Sequence, residues 1–156
     1  MSVITNIEGW GNSHRPGWLD FFRIILGVFI TFKGIEFMGN FASLTAAADN
    51  VLVFTGASLA HYVVFVHLLG GPLIVVGLFT RAICALQVPI LIGAIFFVNY
   101  PKGFLSVGNH MELEVSIAVL AACLVFMIFG AGKFSVDEKR RHDNEHEPVT
   151  VPPSKQ

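Results

Sequence analysis

Charge is what this chain has least of. Only 13% of its 156 residues are Asp, Glu, Lys or Arg, about half the share found in ordinary soluble domains. The formal net charge is -1, so there is no basic footprint for a nucleic acid. Cysteine is nearly absent. Cys84 and Cys123 stand 39 positions apart inside apolar stretches, with no CxxC, CxxCH or Cys/His zinc spacing. Both are expected to be small packing hydrophobes, without a disulfide. No nucleotide, flavin, haem or iron–sulfur motif occurs, so any electron chemistry would need cofactors supplied by a partner. No metal site is expected, because the histidines and carboxylates within the apolar runs show neither HxxxH nor HxxE spacing.

What the chain has instead is long apolar runs. Hydrophobic residues make up 54% of it and the mean hydropathy is +0.68. The runs predict an all-α integral membrane four-helix bundle, with spans over about 18–38, 61–79, 82–98 and 111–129. The first is long enough, at ~1.5 Å per residue, to cross ~30 Å of hydrocarbon. Residues 1–17 read as a short tail broken by Gly9, Gly11, Pro16 and Gly17, with Trp10 and Trp18 suited to the interface. A cleaved signal peptide is a poor reading, since the apolar stretch is long and a full set of spans follows. Residues 39–60 are expected to form a loop, with a short surface helix within 42–54. Spans two and three must form a tight antiparallel hairpin, because little more than Thr80 and Arg81 separates them. Asn99, Tyr100, Pro101, Lys102 and Gly103 break the chain after span three, and Gly130 and Gly132 close span four. The 18–132 membrane domain gives way to a charged, proline-bearing stretch, 133–156, which is expected to be a disordered tail.

Lysine and arginine set the orientation. Arg15 and Arg23 flank the start of span one, Arg81 sits in the hairpin, and Lys133, Lys139, Arg140 and Arg141 follow span four. The other two loops contain only Lys102. Both termini are therefore expected in the cytoplasm. On that topology the ionisable groups gather in the outer half of the membrane: Lys33 and Glu36 in span one, His61 and His67 in span two, and His110, Glu112 and Glu114 at the start of span four. The inner halves are almost purely apolar apart from Gln87 and Arg23. Charges at such depth must be paired, turned inward or snorkelled to the headgroups. Lys33 and Glu36, three apart, share a helix face and can pair. Lys33, Glu36, His67 and Glu112 are the candidate ligand or proton site, a polar pocket at the outer mouth of the bundle. Structural pairing and snorkelling are the competing explanation. Gly27, Gly34, Gly70, Gly71 and Gly77 are assigned to close helix approach, with Pro72 and Pro89 as expected bends.

Three stretches carry a family resemblance: RIILGVFITFKGIEFM at 23–38, HLLGGPLIVVGLFTRAICALQVPILIGAIFFVN at 67–99, and FGAGKFSVD at 129–137. They resemble the DoxX family of small four-helix bacterial membrane proteins, particularly versions from Bacteroidetes-type bacteria. The GLFTR hairpin from Gly77 to Arg81 and the terminal glycine–glycine–basic–aromatic–Ser-hydrophobic-Asp signature are typical of it. The family often carries a basic residue after the glycine of span one; here Lys33 precedes Gly34 and Glu36 follows it. Arg81, Glu112, Lys133 and Asp137 match family positions. The resemblance implies a multi-pass protein of the bacterial inner (plasma) membrane that is associated with redox systems. The family's namesakes include a subunit of a thiosulfate:quinone oxidoreductase. The expected function is thus an accessory subunit of an inner-membrane complex, respiratory or redox, with quinone reached through partners. It is more plausibly not an enzyme on its own. The alternative is a small transporter or a ligand- or metal-binding membrane protein using the outer polar cluster. An independent quinone-reducing enzyme is disfavoured for want of a redox dithiol motif or a cofactor signature.

Overall fold

The computed structural model describes residues 17–49, 56–100, 112–132 and 135–139. Every element among the described residues is helical. Helix α1 spans Leu19–Gly39, α2 Phe41–Asp49, α3 Gly56–Val76, α4 Thr80–Gly93 and α5 Glu112–Phe129. Helix α4 continues as a π-helical stretch over Ala94–Asn99. Among the described residues three helices are long and apolar enough to cross a membrane: α3, α4 with its continuation, and α5. Helix α1 matches α3 at 21 residues. It carries Asp20, Arg23, Lys33 and Glu36 among its apolar residues, and that charge is what separates it from the other three.

Helices α1 and α3 run antiparallel along each other. A methyl group at Gly27 would lie 2.7 Å from the Gly71 carbonyl oxygen and from Val75, and one at Gly34 would lie 2.9 Å from His67 Cβ. From the other side, a methyl at Gly71 would stand 2.7 Å from the Thr31 amide. The two backbones touch because neither carries a side chain at these levels, the close approach from which membrane helices gain dispersion contacts. Gly70 serves the next seam, where a methyl would meet Ile83 of α4 at 2.7 Å. Helix α5 packs chiefly on α4. The main core cluster is apolar and includes Leu26, Ile30, Ile74, Ile83, Leu91 and Phe126.

The outside is apolar too. Phe21, Phe32, Phe65 and Phe96 are each about two-thirds exposed, at 64–66%. In water such faces would be an aggregation surface; in hydrocarbon they are the expected exterior. Backbone groups are satisfied within helices, as a bilayer requires.

Several boundaries differ from the sequence expectation. Span two begins at Gly56 rather than His61 and ends at Val76 rather than Phe79. It starts early because Gly56 leaves room for Asp49 at the end of α2, where any side chain would collide. It stops early because Gly77 turns left-handed at φ +78° while the Gly77 and Leu78 amides bond back to the Leu73 carbonyl, a glycine helix stop. Span three starts at Thr80 rather than 82, for a reason that lies in the C-terminal segment described below. Pro72 and Pro89 both lie inside helices, and the winding changes to π beyond Gly93. The short surface helix expected within 42–54 is α2. Of the expected disordered tail, residues 135–139 form a helical turn, with the Lys139 amide on the Ser135 carbonyl at 3.1 Å. Its Asp137 carboxylate is bonded to the hairpin, which composition alone does not reveal. The N-terminal tail before Gly17, the break after Tyr100, His110 and Lys133 lie outside the described residues.

Candidate functional site

Three polar places stand out, one at each end of the bundle and one within it. At the end where α1 finishes and α3 starts, called the far end below, Lys33 Nζ donates to Glu36 Oε2 at 2.8 Å. The two side chains are 29% and 52% exposed. His67 faces them from α3 and is only 5% exposed. Its Nδ1 lies 2.8 Å from the Val63 carbonyl. A carbonyl can only accept, so Nδ1 carries the proton and Nε2 is left as the acceptor nitrogen. The Phe37 ring stands edge-on to the imidazole at 5.1 Å, Gly34 lies under its Cβ, and Lys33 is the charge that acts on it. His61 repeats the arrangement nearer the helix start, with Nδ1 at 2.7 Å from the Ala57 carbonyl and Phe41 at 4.7 Å.

The α1–α3 pair thus brings together Lys33, Glu36 and His67. Glu112 sits at the corner of α4 and α5, where its backbone carbonyl accepts from Ser116 Oγ at 2.7 Å and from Asn99 Nδ2 at 3.3 Å. Asn99 also donates to Ser116 Oγ at 2.8 Å. The π-helical stretch ends on Asn99, so this change of winding delivers the side chain that joins the two helices. Among the described residues no group of three or more His, Cys, Asp or Glu could hold a metal ion.

The opposite, basal end is richer than the sequence suggests. Arg23, 3% exposed, crosses from α1 to donate to the Ala131 carbonyl at 2.6 Å beyond the end of α5. Asp20 lies 3.8 Å from its guanidinium. Arg81 Nη2 donates to the Ile128 carbonyl at 3.1 Å, bonding one of the last carbonyls of α5. Asp137 folds back from the C-terminal turn. Its two carboxylate oxygens accept from the amides of Phe79 at 2.9 Å and Thr80 at 3.2 Å, and its own amide donates to the Gly77 carbonyl at 3.0 Å. Those amides are orphan donors at the start of α4, so the carboxylate is a cap supplied from 57 or 58 residues away. Ser135 Oγ donates to the Gly132 carbonyl at 3.0 Å and accepts from the Glu138 amide at 3.2 Å.

Glycine is required here for two reasons at once. Gly77 and Gly132 have φ of +78° and +87°. A side chain at Gly77 would collide with Arg23, and one at Gly132 with Asp20. The GLFTR hairpin and the FGAGKFSVD segment are therefore two halves of one contact. Nothing in either motif alone announces that, because the residues concerned are far apart along the chain.

The third place is the α4–α5 seam. Cys84 and Cys123 are both free, both fully buried, and belong to the same core cluster. Their separation of 39 positions hid that they share one core cluster. Gln87, on the same buried face of α4, is also fully buried, and both its amide atoms lack a hydrogen-bond partner among the described residues.

The DoxX family model matches residues 18–100, more than half of the chain, and the chain belongs to the DoxX family. The match includes α1 to α4 with the GLFTR hairpin, while the segment that closes onto that hairpin lies beyond it. No curated protein and no solved structure matches the chain.

Proposed function

We propose that this DoxX-family membrane protein is a non-catalytic accessory subunit of a bacterial inner-membrane redox complex, with quinone chemistry and cofactors residing in its partners. One observation carries the reading. At the basal end the buried Arg23 and the half-buried Arg81 and Asp137 are spent on backbone groups of their own chain, and the outward faces are apolar side chains such as Phe21, Phe32 and Phe96. That is how a module is built whose task is to hold a place in the bilayer. The redox association comes from what the family resemblance implies. In this reading α1 is a fourth span, supported by its length and its antiparallel course along α3, and both termini lie in the cytoplasm, supported by the lysine and arginine bias. The basal end then faces the cytoplasm and the far end the outer surface.

Co-purification tests it. Tagged at native expression level and extracted in mild detergent, the protein is expected to recover a stoichiometric redox enzyme. Recovery alone, or turnover of thiosulfate or a quinone by the purified chain, would overturn the accessory role.

A second reading rests on His67. A buried imidazole whose Nδ1–H is fixed by a carbonyl presents Nε2 in a set direction, as ligand and proton-transfer histidines do. With Lys33 and Glu36 beside it, the far end would serve a small transporter or ligand-binding protein, with Glu112 as the fourth member. His67→Ala combined with Glu112→Ala should then reduce metal or solute uptake; unchanged uptake removes this reading.

A further inference from the structure

We propose that Gln87 and His67 form two sides of one internal site that holds a small uncharged hydroxylic molecule, water being the smallest. Its O–H donates to His67 Nε2, and its oxygen accepts from the Gln87 side-chain amide. The inference rests on the second reading above for the role of His67, and adds to it an inner wall on α4 and a class of ligand.

Gln87 is the starting point. It is fully buried, and neither its amide oxygen nor its amide nitrogen has a hydrogen-bond partner among the described residues. A primary amide carries two donor hydrogens and an acceptor oxygen. Leaving all of them unmet is costly in an apolar interior surrounded by lipid. Asn99, the other buried amide of the same helical run, spends its nitrogen on Ser116 and on the Glu112 carbonyl. Gln87 is as deeply buried and has no such outlet.

Helix register places His67 beside it. Helices α3 and α4 run antiparallel, and a methyl group at Gly70 would meet Ile83 at 2.7 Å. One turn further toward the far end stand His67 on α3 and Gln87 on α4. At the same height Tyr62 ties the two helices together, its O–H donating to the Leu86 carbonyl at 3.2 Å. Counted from the basal ends of their helices, His67 is nine residues from Val76 and Gln87 seven from Thr80. At ~1.5 Å per residue the two lie within one turn in depth. Both are turned inward, at 5% and 0% exposure. With Nδ1 held on the Val63 carbonyl, the imidazole offers an acceptor and the amide offers donors.

The surroundings select the ligand. Val63, Val66 and Leu91, one turn or less away on the same two helices, are buried and apolar. Lys33, the charge that acts on His67, is spent on Glu36 at 2.8 Å. An ion would find no counter-charge here, and at this depth in a membrane that excludes it. A hydroxylic molecule supplies what both side chains lack, a donor for the imidazole and an acceptor for the amide. The far-end cluster therefore has a floor near the middle of the bundle.

The test uses the full-length protein, isotopically labelled at His and Gln side chains and placed in synthetic phosphatidylcholine bilayers, where water is the hydroxylic molecule supplied. Solid-state NMR then reads magnetisation passed from water to the protein. The proposal expects transfer to the Gln87 amide and to the His67 ring, none to the backbone amide of buried Val66, and His67 Nε2 at the shift of a hydrogen-bonded acceptor. In Gln87→Leu the transfer to His67 should be lost. No transfer to Gln87 in the wild type would overturn the site, whether or not the variant folds. Transfer to His67 alone would do the same while leaving the second reading in place. Transfer to both, with uptake unchanged in the His67→Ala, Glu112→Ala protein, would uphold this site and remove the uptake reading. A Gln87→Leu protein that unfolds at higher temperature than the wild type and keeps its His67 signal would also overturn the site, because the amide would then have been dry.

Discussion

The two ends of this bundle use polar residues in opposite ways. At the basal end the contacts that join one element to another are long in sequence: Arg23 reaches Ala131, Arg81 reaches Ile128, and Asp137 reaches Phe79 and Thr80. At the far end most contacts close within one helical turn, as Lys33 to Glu36, His61 to Ala57 and His67 to Val63 do. Asn99, which bonds both Ser116 and the Glu112 carbonyl, is the exception there. Side chains that bind distant backbone cannot move without opening the fold. Those satisfied locally keep their partners while the surface around them changes. The basal end is accordingly a clasp, and the far end is where a ligand could be held at little structural cost. This difference turns on a physical distinction that charge counts miss, since both ends carry acidic and basic residues.

The largest expected break in the comparison is Arg23→Ala. It removes a buried guanidinium from the Ala131 carbonyl and from Asp20, and stability should fall by about 3 kcal/mol, read as an early loss of the monodisperse peak on heating in detergent. Asp137→Ala should cost about 2 kcal/mol, because two amides at the head of α4 lose their acceptor. Asp137→Asn, which keeps an oxygen acceptor, should recover part of that loss in the same measurement. Gly77→Ala combines a left-handed backbone with the collision against Arg23, so its cost should exceed the ~1 kcal/mol of an ordinary left-handed glycine. The smallest effect belongs to the far end. Lys33→Ala removes an exposed pair and should change stability by less than about 0.5 kcal/mol. A far-end loss as large as that of Arg23→Ala would erase the distinction between the ends.

Much of the architecture is written in the hydropathy. Spans three and four begin and end within two residues of their expected limits because polar or glycine residues stop them directly. The Lys33–Glu36 pair follows from three-residue spacing on a helix. Span two was less legible at its start. Thr55, Gly56 and Ser58 look like loop residues, and only the fit of Asp49 against Gly56 explains a helix beginning there. The C-terminal turn was hidden for a different reason. A charged stretch after a glycine-closed helix has the composition of a free tail, and what orders Ser135–Lys139 is the hairpin it meets. The meeting of Cys84 and Cys123 in one core cluster was equally out of reach, since helix periodicity places them on faces but does not say which faces meet. What remained invisible in each case was a contact between distant parts of the chain.

Amide hydrogen exchange in lipid nanodiscs, comparing the wild type with Asp137→Ala, tests the clasp most directly. The account predicts faster exchange in the variant at Gly77–Arg81 and around Ile128–Gly132 together, with Val63–His67 unchanged. Exchange that stays slow at Phe79 and Thr80, or rises equally at both ends of the bundle, would contradict it.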